Sequence, residues 1–353
     1  MKNARLALRQ REAGRTKSVE FRKNLGEMKK TKIYNGDAKE VLKKIGDDSI
    51  DLIFTSPPYA DSRKNTYGGI HPDKYVEWFL PFSEELFRVL KPTGTFVLNI
   101  KEKVVAGERH TYVLDLIKEM RKQNWLWTEE FIWHKKNSYP GKWPNRFRDA
   151  WERLLQFNKE KHFNMYQEEV MVPIGDWAKS RLRKLSDTDK ERDNAKNGSG
   201  FGKNVSNWIN RAKVYPDNVL HMNTQPEPND KVKKFLSLYE ELTHEGFEFT
   251  ENVVHLATEC NNKNHSAAFP NELPEWFIKL FTRENDLVLD PFMGSGTTVI
   301  VANQMGRVGV GIEIVEEYYK LADDLLSQNI FAAEPKVKYG KTKTSGRSKL
   351  RRK

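Results

Sequence analysis

Cysteine occurs once in the 353 residues, as Cys260. A single thiol excludes an intramolecular disulfide, and such sparing use fits a reducing cytoplasm. No apolar run approaches the ~18 residues that a membrane-spanning helix needs. The N-terminus lacks the short apolar core of an export signal, so a cytoplasmic protein is expected. Histidines 71, 110, 134, 162, 221, 244, 255 and 265 are scattered, and no Cys/His cluster has metal-ligand spacing, so no metal site is expected. There is no internal repeat, and low-complexity sequence is confined to the two ends.

Charge is present in abundance but unevenly. The net charge is +11, with 38% hydrophobic and 31% charged residues. Met1–Lys30 carries a net +7 and Glu334–Lys353 a net +8, so the body between them is mildly acidic. Basic arms of this kind attract a polyanion by releasing its counterions; they also occur simply as solubilising tails.

Between the arms, apolar patterning alternates between strand and helix. Lys32–Asp37 reads as a short strand and turn, Ala38–Ile45 as an amphipathic helix, Ile50–Thr55 as a buried strand. A helix is expected over Tyr75–Leu90, ending at the Lys91-Pro-Thr-Gly94 turn, then a strand over Thr95–Ile100. Tyr112–Gln123 reads as a helix, and Phe131–Trp133 and Trp151–Phe157 as strands. From about Lys159 to Thr250 periodicity fades. It returns with a helix at Pro274–Phe281, a strand at Asp286–Asp290, a helix at Gly296–Met305, a strand at Val308–Ile312 and a helix at Glu316–Gln328. Strands alternating with helices of this length imply an α/β fold with a mostly parallel sheet.

Two motifs stand out. Asp290-Pro-Phe-Met-Gly-Ser-Gly296 follows a strand and opens a helix, where glycines let a ligand lie against the backbone and free helix N–H groups face it. The lysine of a P-loop is missing, and a lone G-x-G also occurs as a purely structural turn. Asp290 and Glu313 each close a strand, placing carboxylates where one can face a cationic group and the other ribose hydroxyls. With no cation for phosphates in the turn, a nucleoside with a cationic tail fits, which points to S-adenosyl-L-methionine. The second motif is Ser56-Pro-Pro-Tyr59, a rigid diproline that stops the strand Ile50–Thr55.

Together and in this order, the two motifs resemble the amino-methyltransferases of DNA, in the permuted β class. The resemblance covers roughly 32–157 and 265–328. It implies a class I S-adenosylmethionine-dependent methyltransferase fold, Rossmann-like and circularly permuted, with one antiparallel strand at the sheet edge and an inserted target-recognition region. The implied organisation is a basic N-terminal arm (1–30), a catalytic half (31–158), a target-recognition region (159–250), a cofactor-binding half (251–330) and a basic C-terminal tail (331–353). Asn35-Gly-Asp37 resembles the segment whose acid meets the cofactor adenine. His265-Ser-Ala-Ala-Phe-Pro270 resembles the segment covering its methionine end, through His265, Phe269 and Pro270. Pro291, Phe292, Gly294, Ser295, Gly296 and Thr297 complete the expected cofactor site.

An exocyclic amine is a poor nucleophile because its lone pair is delocalised into the ring. Two acceptors aimed at its N–H bonds localise that pair and take up charge as the methyl arrives. The Ser56 hydroxyl and the Pro57 carbonyl suit that task, Pro57 and Pro58 hold the turn rigid, and Tyr59 can stack on the base. The base must leave the duplex to reach them. Trp133 is a second stacking candidate; a tryptophan ending a strand also serves as core. Cys260 follows no proline and lies outside both motifs, which disfavours the C5-cytosine route.

The expected partner is double-stranded DNA, with a cognate restriction endonuclease implied by the family, in a prokaryotic or phage-type cytoplasm at the nucleoid. Arg63, Lys64, Arg181, Arg183, Lys203, Arg211 and Lys213 are candidate DNA contacts, and Asn204, Asn207 and Asn210 candidate base readers. Ser-Pro-Pro-Tyr is commoner for cytosine N4 and its Asp/Asn variants for adenine N6, so cytosine is expected and adenine stands as the alternative. A protein or RNA substrate, or a non-catalytic DNA-binding relative, fits the motif order and the intact Ser56, Asp290 and Glu313 less well.

Overall fold

In a computed structural model, the described residues are 31–62, 67–135, 145–147, 149–173, 213–222 and 269–327. They build an eight-stranded sheet with helices on both faces. The strands are β1 (Lys32–Asn35), β2 (Ile50–Thr55), β3 (Leu90–Ile100), β6 (Leu126–Lys135), β7 (Trp151–Asn158), β10 (Val219–Met222), β11 (Leu287–Asp290) and β12 (Val308–Glu313). Two-residue strands β4 (Val104–Val105) with β5 (Glu108–Arg109), and β8 (Val172–Pro173) with β9 (Lys213–Val214), form two small antiparallel pairs outside it. The helices are α1 (Ala38–Leu42), α2 (Pro72–Val89), α3 (Tyr112–Lys122), α4 (Glu272–Phe281), α5 (Thr297–Gln304) and α6 (Glu316–Ser327).

The spatial order is β1-β12-β11-β2-β3-β7-β6-β10. All neighbours are parallel except β7, which runs against both β3 and β6. The antiparallel strand therefore does not sit at the edge, as expected from the resemblance. It is enclosed between β3 and β6, and β10, from the 159–250 region, adds a further strand beyond β6. Asn164 and Tyr166 of that region also bond Thr93 and Leu280, so its described part is tied to the methyltransferase sheet.

Strands β2 and β12 are buried at every position, the pattern of parallel strands covered on both faces. Alternation splits their side chains. Ile53, Phe96, Leu98, Leu289, Val310 and Ile312 pack under α1, α2 and α3. Leu52, Phe54, Val97 and Val288 meet α4 and Val301 of α5 on the other face. Helix α2 starts three residues before the expected Tyr75, at Pro72, with the His71 ring accepting the Asp73 amide. Proline is suited to a first turn, where its missing N–H costs nothing. Lys91–Gly94 leaves the β2–β3 ladder as an excursion between the pairs Ile50–Leu90 and Leu52–Thr95, so the Pro-Thr-Gly signal marks a local irregularity rather than a full turn.

Helix α5 sits unusually close to β12. A Cβ on Gly309 would lie 2.8 Å from the Val299 carbonyl oxygen, and one on Gly311 would collide with Met293 Sδ. These glycines set the height of α5, and hence of the turn before it. Gly309→Ala is expected to destabilise the fold by about 1–3 kcal/mol, since the obstacle is backbone and cannot swing away. Denaturant midpoints would test this; an unchanged midpoint would show that α5 can shift freely.

Candidate active site at the strand ends

Because β1, β12, β11 and β2 are adjacent and parallel, their carboxyl ends open on one crevice, the usual ligand position in such sheets. Each end delivers one sequence motif. Asp37 follows β1, Glu313 closes β12, Asp290 and the glycine turn close β11, and Ser56 follows β2.

The two central motifs touch. Thr55 Oγ1 donates to Asp290 Oδ1 at 2.6 Å, across 235 residues of sequence. Asp290 is 2% exposed and also accepts Thr298 Oγ1 at 2.8 Å and the Phe292 amide at 3.1 Å. Both its oxygens are engaged, so it offers a cation its negative field rather than a free oxygen. Burial pushes its carboxyl up to about 6, opposed by those three hydrogen bonds and reinforced by Glu313.

Glu313 is buried too, and burial raises its carboxyl from the ordinary range. Its Oε2 accepts the Gly294 amide at 2.9 Å; its Oε1 accepts the Val315 amide at 2.8 Å and the Tyr67 hydroxyl at 3.3 Å. Gly294 and Gly296 have φ of 54° and 89°, values that residues with a Cβ rarely adopt. A Cβ on Gly296 would also press Ala322 at 3.0 Å. Ser295 and Thr297 lie on the same turn, half-buried. Pro291 is buried, and Phe292 lies against Phe82 and Trp78 with centroids 5.1 and 5.9 Å away. Asp37 caps α1, accepting the Lys39 amide at 2.9 Å, and Gly36 N donates to the Glu313 carbonyl at 2.9 Å, so the two acids belong to neighbouring strand ends.

On the other side of the turn, Pro57 is buried and Pro58 half-buried. The Tyr75 hydroxyl of α2 donates to the Pro58 carbonyl at 3.1 Å, pinning the diproline to a core helix. Ser56 Oγ donates to the Tyr59 hydroxyl at 3.2 Å, which donates to Glu152 Oε2 at 2.5 Å. Burial, with the nearby Glu152 charge, holds the Tyr59 phenol well above its usual value.

Trp133 stands opposite Glu152 in the β6–β7 register. It is 3% exposed, packs in the core with Phe131 and Leu154, and carries the Lys135 ammonium 4.8 Å above its ring. It is a core tryptophan as placed. Phe269 meets Phe54 edge-on at 5.5 Å, and the Pro270 carbonyl accepts the Leu273 amide as α4 begins. Lys213 is exposed on β9. His265, Arg63, Lys64, Arg181, Arg183, Lys203, Arg211, Asn204, Asn207, Asn210, Cys260 and both basic arms lie outside the described residues.

The residue that sequence reading passed over is Glu152. It is 5% exposed on β7 and also accepts Asn99 Nδ2 at 3.1 Å and pairs with Lys135. Its signal was a carboxylate on the same strand face as Leu154 and Gln156, both buried.

An open parallel sheet with a glycine turn and acid-tipped strands at one crevice is a class I methyltransferase fold. Residues 50–324 match the family model described as DNA methylase, of the N6/N4 type, and the chain belongs to that family. The type II methyltransferase M.PvuII of Proteus hauseri is 30% identical over 298 residues, covering 81% of this chain and 80% of that one. The DNA adenine methyltransferase YhdJ of Escherichia coli is 28% identical, covering 91% of each. Among solved structures, the PvuII DNA methyltransferase (cytosine-N4-specific) superposes with a TM-score of 0.53 at 23% identity, covering 84% of this chain and 94% of that one.

A carboxylate whose pKa is raised by folding favours the fold when protonated. That stability is full below the unfolded value near 3.8 and is lost as pH rises through about 6. The ionised Asp290 therefore costs about 3 kcal/mol at pH 8. Asp290→Asn is expected to flatten the decline in stability between pH 4 and 7 and to leave the ligand-free protein at least as stable at pH 8. Denaturation midpoints across that range check it; a variant that keeps the wild-type pH dependence would refute the assignment.

Proposed function

We propose that this DNA methylase moves a methyl group from S-adenosyl-L-methionine to the exocyclic N4 amine of cytosine in duplex DNA, by base extrusion and direct transfer. The observation that carries the reading is the Thr55–Asp290 bond, which sets the glycine turn beside Ser56-Pro-Pro-Tyr59 at neighbouring strand ends. The donor set suits the cofactor: acids at two strand ends, a buried negative field at Asp290 for a cationic tail, and no cation in the turn for a phosphate. When bound, the cofactor supplies an activated methyl on a sulfonium.

The chain's residues would divide the remaining work. Glu313 accepts ribose hydroxyls, taking up the lone-pair capacity now used by Tyr67; a carboxylate offers about four acceptor positions. Asp37 faces the adenine amine, and Phe292 lies along the adenine. Gly294, Ser295, Gly296 and Thr297 line the backbone approach, with Pro291 fixing the turn. His265, Phe269 and Pro270 close over the methionine end. Ser56 Oγ and the Pro57 carbonyl accept the two N–H bonds of the target amine, Pro58 keeps the turn stiff, and Tyr59 borders the base. Arg63, Lys64, Arg181, Arg183, Lys203, Arg211 and Lys213 contact the DNA, with 159–250 as the reading region. We infer a role in restriction–modification beside a cognate endonuclease, in a prokaryotic cytoplasm, a reading supported by the likeness to the type II methyltransferase M.PvuII.

Adenine N6 is the second reading, favoured by the match to YhdJ over 91% of both chains. Mass spectrometry of nucleosides from DNA incubated with the enzyme separates the two: N4-methylcytosine supports the first, N6-methyladenine the second, and neither overturns both. Ser56→Ala is expected to lower the single-turnover rate by about 10²–10³-fold, the usual effect of removing one preorganised group that stabilises transition-state charge. Calorimetric affinity for S-adenosylmethionine should stay within a few-fold. An equal loss of both would remove Ser56 from the chemistry.

A further inference from the structure

Resting on that reading, we propose that Glu152 is a positioning residue and proton acceptor: through Tyr59 it locks the Ser56 hydroxyl as an acceptor toward the target amine and takes the proton the amine releases.

Glu152 pairs through Oε1 with the Lys135 ammonium, while Oε2 receives Asn99 Nδ2 and the Tyr59 hydroxyl. A carboxylate can only accept, so the single proton of Tyr59 is committed to it. The Tyr59 oxygen is thereby left as an acceptor, and at 3.2 Å it takes the single proton of Ser56. The Ser56 oxygen then has lone pairs and no proton for the pocket. Without Glu152 the phenol and the serine hydroxyl are free to rotate, and Ser56 can as well donate toward the pocket, where a donor opposes an N–H bond.

The same chain balances the reaction. The amine nitrogen forms the new N–CH3 bond, the S–CH3 bond breaks, and its electron pair stays on sulfur, leaving a neutral thioether. The nitrogen, now cationic, gives one proton to Ser56 Oγ, Ser56 passes its own to Tyr59, and Tyr59 passes its own to Glu152 Oε2. Glu152 becomes a carboxylic acid and returns the proton to water once the product leaves. Three side chains from β7 and the loop after β2 thus act in series, and the groups facing Glu152 are Tyr59, Asn99 of β3, Lys135 of β6 and, through space, Tyr112 of α3.

The test uses the full chain, single-turnover transfer to unmethylated chromosomal DNA, and calorimetric affinity for S-adenosylmethionine. Glu152→Gln keeps an acceptor but removes the charge. It is expected to slow transfer by roughly 10²-fold, within the usual range for acid–base groups. Cofactor affinity should change less than about three-fold, and Glu152→Asp should restore part of the rate. Tyr59→Phe, which leaves Glu152 paired with Lys135 and Asn99, should match the Glu152→Gln loss, and the double variant should add nothing. Should Glu152→Gln misfold, the Tyr59→Phe rate, read beside its cofactor affinity, decides alone. Wild-type rates in Glu152→Gln, or a Tyr59→Phe variant that keeps the wild-type rate, overturn the relay while leaving the methyltransferase reading intact. A wild-type enzyme that methylates no base overturns the reading itself.

Discussion

The bond from Thr55 to Asp290 is the constraint on which the rest of the molecule depends. It joins the carboxyl ends of β2 and β11, and so joins a proline-stiffened acceptor loop to a glycine turn that the sequence separates by more than two hundred residues. A buried hydroxyl–carboxylate bond is strong because water does not compete for it, and its geometry is fixed because both partners sit on strands buried on both faces. Polar groups have almost nowhere to go in such a sheet except the strand ends. That is why one edge gathers Asp290, Glu313 and Ser56, while the strands behind them are aliphatic and aromatic.

The three buried carboxylates at this edge are held in different ways. Asp290 and Glu313 are satisfied by neutral donors: hydroxyls and backbone amides. Each carries an uncompensated desolvation penalty, visible as carboxyls raised from their ordinary range. A ligand with a cationic tail recovers part of that penalty on binding, whereas an anionic phosphate would add to it. Glu152 instead has the Lys135 ammonium against it, so its charge is matched within the protein. One side of the crevice is therefore built to receive charge from a ligand, and the other to hold a proton-accepting chain in a fixed order.

Much of this was legible in the sequence. Runs such as Ile50–Thr55 and Val308–Ile312 read as strands, and the punctuation at Pro57-Pro58 and Gly294–Gly296 marked where strands stop or helices start. What the residues could not disclose was register between distant strands. Glu152 looked like one more charge on a strand because its partners, Tyr59, Asn99 and Lys135, come from three other places in the chain. Trp133 shows the same limit in reverse: an aromatic at a strand end is compatible with a pocket wall or with the core, and only the packing of α4 against that face decides for the core. The position of β7 inside the sheet rests on its pairing with both β3 and β6, a register between separate segments that no single run discloses.

The chain order gives these contacts a further consequence. Strand β1 lies at one edge, and β12 and β11, from the far end of the sequence, fill the space between it and β2. Neither the 31–158 half nor the 272–327 segment can cover both faces of its own strands. Leu289, Val310 and Ile312 need α1 and α2, and Leu52 and Phe54 need α4. The cofactor side and the base side therefore cannot be organised separately: the closure that completes the core is the same closure that brings Asp290 to Thr55. A loosening of α4 or α5 would separate donor from acceptor before it unfolded either motif.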